Sequence, residues 1–184
     1  QLPDGPAVAV AFNAKGDRLI TVGRDSEPTV WDVSEREPIL TIPSTVETVI
    51  ALAFGNGVMM GTTNGMFRCY NAQKSEINVE VNAKSSVSAI SFSTEEACIG
   101  TANGTVLLVD MKRGAAVEYS RIHTGIIRAV AFHPSQSFIL TCSEDGTAII
   151  ASTQKLEPIA TLSPGIGKIH SAQWTNDGKA FITC

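Results

Sequence analysis

The chain has 184 residues, of which 43% are apolar and 17% charged, and its formal net charge is −4 at pH 7. That balance is typical of a soluble globular protein and excludes a disordered chain. The longest apolar runs are strand-sized, far below the roughly 20 residues of a membrane-spanning helix, so we expect no membrane insertion. Scattered Lys and Arg residues form no basic stripe, so nucleic acid is not an expected partner.

The predicted elements are almost all β-strands, because short alternating apolar runs follow one another between turn residues along the whole chain. No useful window shows a helical period. Four strands are predicted in each of four successive units, followed by half of a fifth. The predicted strands are 8–12, 18–23, 29–33 and 38–42; 49–54, 58–63, 66–71 and 77–81; 87–92, 97–102, 105–111 and 116–121; 127–132, 138–143, 147–152 and 158–162; 170–174 and 180–184.

Three sequence features recur with one period of about 40 residues, which is the signature of a repeat architecture. The aromatic residues that end the first strand of each unit are Phe12, Phe54, Phe92, Phe132 and Trp174. The tight hairpin turns are Asn64-Gly65, Asn103-Gly104 and Asp145-Gly146, residue types that accept the positive φ of a type I′ turn. The pairs that end the third strands are Trp31-Asp32, Tyr70-Asn71, Val109-Asp110 and Ala151-Ser152.

The stretch from Arg121 to Ser152, RIHTGIIRAVAFHPSQSFILTCSEDGTAIIAS, resembles a WD40 repeat along its whole length, as does the unit at 7–42. The resemblance implies an all-β fold, a β-propeller with four-stranded antiparallel blades, and a single domain over 1–184. The expected blades are approximately 7–42, 46–81, 87–121, 123–162 and, in part, 165–184. Because the family ring usually needs about seven blades, we expect this chain, which opens with Gln1, to be part of a longer protein. Further residues of that protein, or alternatively a partner subunit, would supply the remaining blades.

In the WD40 family a hydrogen-bonded group of four side chains ties each regular blade together. Unit four retains His123, Thr141 and Asp145 of this tetrad but has Ala151 where tryptophan belongs. Units two and three have asparagine in place of the acid in the hairpin turn. We therefore expect apolar packing between sheets to carry most of the stability, since one hydrogen bond contributes only about 1 kcal/mol.

The resemblance also implies a binding surface. In WD40 propellers, partner contacts commonly lie on the top face, four and six residues before the first-strand aromatic and directly before the hairpin-turn acid. The matching positions are Arg24, Thr48, Ile50, Thr63, Ser86, Ser88, Ala102, Ile126, Arg128, Glu144, Lys168 and His170. Three Arg or Lys residues and His170 make one side of this set mildly basic, which favours an acidic peptide segment. Arg128 is the preferred anchor, because a guanidinium pairs bidentately with a carboxylate and stacks on aromatic rings.

The sequence carries no nucleophile elbow, phosphate-binding glycine loop or paired-carboxylate motif, so it predicts no catalytic residue. It predicts no metal, no cofactor and no small-molecule ligand either. Four cysteines, spaced by 29, 44 and 42 residues, suit strand positions in a reducing compartment, cytoplasmic or nuclear. We expect a non-catalytic protein–protein interaction scaffold within an intracellular multiprotein complex. Two alternatives stay open: the scaffold portion of a larger enzyme, and, with weaker support, a nucleic-acid-binding platform.

Overall fold

The computed structural model describes residues 7–23, 27–43, 48–55, 57–74, 76–165 and 167–184. These residues form β-strands joined by turns, and they contain no helix long and apolar enough to cross a membrane. Arg24, one of the predicted contact residues, lies outside the described ranges.

Four antiparallel sheets of four strands follow one another along the chain, and a two-stranded sheet comes last. Within each sheet the strands are adjacent in chain order, which confirms the predicted all-β fold of four-stranded antiparallel units. The strands are β1 (Ala7–Phe12), β2 (Arg18–Gly23), β3 (Thr29–Asp32) and β4 (Pro38–Thr41); β5 (Val49–Phe54), β6 (Val58–Thr62), β7 (Met66–Tyr70) and β8 (Ile77–Asn82); β9 (Val87–Phe92), β10 (Glu96–Thr101), β11 (Thr105–Asp110) and β12 (Ala115–Arg121); β13 (Ile127–Phe132), β14 (Phe138–Ser143), β15 (Ala148–Ser152) and β16 (Pro158–Leu162); β17 (Ala172–Trp174) and β18 (Phe181–Thr183).

The predicted hairpin turns join the second and third strands of three sheets. Their glycines, Gly65, Gly104 and Gly146, have φ values of 89°, 85° and 83°. At Gly104 a Cβ atom would also lie 2.1 Å from the backbone oxygen of His123, so both conformation and space require glycine.

Consecutive sheets pack face to face, and their first strands, β1, β5, β9, β13 and β17, lie next to one another. Four clusters of buried apolar side chains fill the spaces between successive sheets. Their members include Ile20 and Val58, Phe67 and Ile99, Leu108 and Ile139, and Leu140 and Ile169, in sheet order. Contact between successive sheets is therefore concentrated on the first strands, as in units arranged about a common axis.

Apolar residues take the places of missing tetrad members. In the second sheet, Met60 and Tyr70 are buried at the positions that Thr141 and Ala151 hold in the fourth. The first sheet keeps a different part of the tetrad, because Trp31 donates its indole N–H to Thr21 Oγ1 at 2.9 Å. The polar tetrad is thus only partly present in these sheets, whereas a cluster of buried apolar side chains lies between each pair of successive sheets.

The fifth unit departs from its prediction at the start of its first strand. The run from His170 predicts a strand that begins there, yet β17 begins at Ala172. The backbone N–H groups of His170 and Ser171 both donate to the carbonyl oxygen of Cys184, at 2.7 and 3.1 Å. In a regular antiparallel pair each carbonyl oxygen of the ladder accepts one N–H, not two. The regular pairing therefore starts only after Ser171, and β17 is shorter than predicted.

Candidate functional site

A β-bulge near the start of the first strand occurs in each of the four-stranded sheets. The pairing between first and second strands shifts there by one residue, so that one residue of the first strand has no partner opposite it. Such bulges redirect a side chain and are frequent beside functional sites. The bulge residues are Val8, Ile50, Ser88 and Arg128.

Three of these bulge residues, Ile50, Ser88 and Arg128, are predicted contact positions. A backbone hydrogen bond next to each bulge brings two further predicted positions together. The N–H of the residue that precedes the hairpin turn donates this hydrogen bond. The acceptor is the carbonyl oxygen of the residue two positions before the bulge. These bonds join Thr63 to Thr48 at 3.0 Å, Ala102 to Ser86 at 2.9 Å and Glu144 to Ile126 at 2.9 Å. The resemblance-based positions therefore lie at one end of the sheets, and we call this end the bulge end.

Arg128, Glu144 and Lys168 form the charged cluster of the bulge end. Arg128 Nε donates to Glu144 Oε1 at 2.7 Å, and a second guanidinium nitrogen contacts the same oxygen. Lys168 Nζ donates to Glu144 Oε2 at 2.5 Å. The cluster therefore links the bulge of β13 to the loop before β17, and it holds two cations for one carboxylate.

The two cations of the charged cluster are more open to solvent than its carboxylate. The side chains of Arg128 and Lys168 are 41% and 60% exposed, against 15% for Glu144. Hydrogen bonds from Lys168 and then Arg128 lower the pKa of Glu144 to about 2, so it is an anion at neutral pH. The exposed part of the cluster is consequently basic.

A polar network fixes the turn that carries Glu144. His123 lies with Nδ1 3.0 Å from Asp145 Oδ2 and with Nε2 2.9 Å from Thr141 Oγ1. Asp145 also accepts hydrogen bonds from the hydroxyl of Thr147 at 2.6 Å and from the N–H of Thr124 at 2.9 Å. The prediction that His123 is a structural residue of its unit agrees with this position.

The charge states of the network follow from burial and hydrogen bonding. Burial lowers the pKa of His123, although the neighbouring Asp145 opposes the shift. Burial by itself would raise the pKa of Asp145, but the hydrogen bonds from Thr147 and Thr124 outweigh it and the pKa falls well below the usual range. A neutral His123 then donates from Nδ1 to an ionised Asp145.

Ser88 has a role that the sequence did not suggest. Its hydroxyl lies 2.5 Å from the carbonyl oxygen of Ile127 and 3.2 Å from that of Gly100. The first contact crosses from the third sheet to the fourth, so Ser88 joins two sheets as well as lying at the bulge end. No pattern in the sequence could have indicated this, because the acceptor is a backbone group in the next repeat.

The other predicted contact residues differ in exposure. Thr48, Thr63 and His170 are exposed, whereas Ser86 and Ile126 are half-buried. Within the described ranges no group of His, Cys, Asp and Glu side chains could hold a metal ion.

Comparison with known proteins agrees with this architecture. Residues 119–150, which include β13 and β14, match the family model described as WD domain, G-beta repeat. The match confirms the resemblance to the WD40-repeat family. The chain is also 26% identical over 148 residues to Shk1 kinase-binding protein 15 of Schizosaccharomyces pombe. That alignment covers 77% of this chain but 40% of the relative, so the chain spans less than half of the relative's length.

Proposed function

We propose that this protein is a non-catalytic platform for protein–protein interaction in a multiprotein complex, and that its partner binds the bulge end. The observation that carries the proposal is the repeated bulge, which places one unpaired residue of each four-stranded sheet at the same end. The WD40 match and a relative whose name describes a kinase-binding protein support an interaction role.

The partner contributes an acidic segment. Arg128 and Lys168 are the exposed members of a cluster that has only one carboxylate of its own. Arg128 is the anchor, because its planar guanidinium binds a second carboxylate or an aromatic ring in addition to Glu144. Exposed charge pairs contribute little affinity each, so they set orientation and association rate while neighbouring side chains supply contact area.

The protein acts inside the cell, in the cytoplasm or the nucleus. Cys69, Cys98 and Cys142 are buried free thiols, a state that suits a reducing compartment. Burial raises the pKa of Cys69 to about 11, which keeps its thiol protonated and unreactive at neutral pH.

Quantitative affinity purification of the tagged protein from cells tests the proposal. Arg128→Glu is compared with wild type and with Arg121→Glu, which makes the same charge change at an exposed position on β12. We expect Arg128→Glu to reduce at least one stable partner several-fold while Arg121→Glu leaves it unchanged. Retention of every partner by Arg128→Glu at the wild-type ratio would refute the placement.

A further inference from the structure

A polar cavity of about 530 Å³ lies between the first and second sheets, at the end opposite the bulge end. It is bounded by the turn after β1, the end of β5 and the turn after β7. The polar side chains that line it are those of Asn13, Lys15, Asp17, Arg18, Asn71 and Gln73. The cavity is separate from the charged cluster and from the His123 network, which both belong to later sheets.

Arg18 is directed into the space between the two sheets. Ile20 and Val22, on the same strand, are buried in the apolar cluster between the first and second sheets. Residues two apart in a strand share a face, so the Arg18 side chain points toward the second sheet as well. It is half-buried, and its guanidinium donates no hydrogen bond to any residue that the structure describes. Because a polar group that is withdrawn from water needs a hydrogen-bond partner, this position suits a ligand that supplies an acceptor.

The carboxylates near Arg18 are engaged by other groups. Asp32 lies opposite Arg18 in the pairing of β2 with β3, but its Oδ1 accepts hydrogen bonds from the N–H and the hydroxyl of Ser34, at 2.8 and 2.6 Å. The hydroxyl of Ser34 is accordingly the main cause of the lowered pKa of Asp32, and the attraction of Arg18 is the weakest. Asp17 accepts a hydrogen bond from Asn13 Nδ2 at 2.6 Å.

The repeated fold does not require a cation at the position of Arg18. The same position, one residue before the partner of the first-strand aromatic, holds Gly57, Glu96 and Phe138 in the other four-stranded sheets. Those sheets form the same strands without a basic residue there. The structure of the sheet therefore does not account for Arg18, whereas binding of an anion does.

The available groups in the cavity are mostly hydrogen-bond donors. Arg18 has five N–H donors in a planar fork, and Lys15 has three. Asn71 uses its Oδ1 to accept the N–H of Gln73 at 2.8 Å, so its remaining side-chain group is also a donor. Two cations line the cavity together with one carboxylate, that of Asp17. An anion with several acceptor oxygens matches this set.

A phosphate monoester matches these donors better than a carboxylate does. It has three acceptor oxygens and a charge of about −1.5 to −2 at neutral pH, whereas a carboxylate has two oxygens and a single charge. Arginine binds a phosphate group with two parallel hydrogen bonds. The cavity volume lies within the roughly 300–1,000 Å³ of small-molecule sites, so the group that carries the phosphate also fits.

We propose that this cavity binds a phosphate monoester, with Arg18 holding two of its oxygens and Lys15 supplying the second positive charge. The phosphate belongs either to a phosphorylated side chain of a partner protein or to a soluble phosphate ester, because both present the same group. The site lies at the opposite end of the sheets from the charged cluster, and it does not depend on the function proposed for that end.

NMR titration of the 15N-labelled protein gives a direct test, with the Nε–Hε signal of Arg18 and the backbone amides of Gly55 and Ala72 in the cavity wall as reporters. The probes are phosphoserine blocked at both ends, glycerol phosphate, and glutamate blocked at both ends. We expect saturable shifts of all three reporters with both phosphate probes, and several-fold weaker binding of the blocked glutamate. The tighter of the two phosphate probes identifies the source of the phosphate.

Arg18→Gln should weaken binding of the phosphate probes about tenfold or more, because it removes hydrogen bonds between charged groups. Arg113→Gln is the matched control, since it makes the same change at the same end of the third sheet, where Arg113 is exposed and pairs with Asp110. We expect the control to bind as wild type does.

Equal affinity for blocked glutamate and blocked phosphoserine would overturn the proposal, as would the lack of any shift at Arg18 with either phosphate probe. Phosphate binding that persists at wild-type strength in a folded Arg18→Gln protein, or that falls equally in Arg113→Gln, would overturn it too.

Discussion

His123 shows how the environment of one residue makes stability depend on pH. Burial lowers the pKa of His123 in the folded state, so the unfolded chain binds a proton more readily there. As pH falls below about 6.5, the ordinary histidine value, proton uptake therefore favours unfolding. Asp145 adds a second loss of stability below about pH 4, because the pKa of its carboxyl group is also lowered in the folded state.

We predict that the free energy of unfolding decreases as pH falls from 7.5 to 5.5, and decreases again below pH 4. Urea unfolding at several pH values measures it, and His123→Gln should flatten the first step only. A wild-type protein that becomes more stable between pH 7.5 and 5.5 would contradict the neutral, buried state of His123.

Glu144 already pairs with Arg128 and Lys168, the two cationic side chains that we propose bind the partner. Because it accepts hydrogen bonds from both Arg128 and Lys168, a partner carboxylate must compete with it. Glu144→Gln should therefore raise the affinity for the peptide EEFEE-NH2, labelled with fluorescein at its N-terminus, by about two- to fivefold, the scale of an exposed ion pair. Fluorescence anisotropy measures the change, with Glu157→Gln, at an exposed position just before β16, as the control. Weaker binding by Glu144→Gln would argue against an acidic segment at this site.

Among the elements, β10 depends on a glycine for its approach to β13. A Cβ atom at Gly100 would lie 2.5 Å from Ile127 Cγ2, and Ile127 is fully buried between the sheets. Overpacking of this kind typically costs about 1–3 kcal/mol. The second sheet repeats the arrangement at Gly61, where a Cβ would lie 2.3 Å from Val87 Cγ1.

We predict that Gly100→Ala lowers the free energy of unfolding by about 1–3 kcal/mol. Ile127→Ala alone should cost about 2–5 kcal/mol, because it opens a cavity. In the double variant the added methyl occupies part of that cavity, so the loss should be smaller than the sum. Denaturant unfolding of the four proteins measures the coupling, and strict additivity would mean that the two sheets do not meet at this contact.

The strands were predictable because their signal is local. The alternation of apolar residues predicts both the first and the last residue of β5 and of β9 correctly. The Asn-Gly dipeptides predict the positions of the hairpin turns. The bulges were not predictable in this way, since the extra residue at Arg128 is defined by its pairing with β14. The link between Glu144 and Lys168 depends on how two repeats meet, which one sequence does not reveal.

For the molecule as a whole, the first sheet presents an apolar surface to solvent. Val10 and Phe12 on β1 are 57% and 56% exposed, on the side away from the second sheet. At the other end of the series, Ile182 on β18 is 71% exposed. Apolar patches of this kind commonly mark contact surfaces. They therefore indicate further surfaces on which neighbouring protein packs.

The central claim is that partners bind the bulge end of sheets arranged about a common axis. Hydrogen exchange of the protein, free and bound to its purified partner, tests this claim most directly. We predict slower exchange on binding in peptides that cover 86–88, 126–128, 144 and 168–170, with β8, β12 and β16 unchanged. Slower exchange confined to those fourth strands, with the bulge end unaffected, would contradict the account.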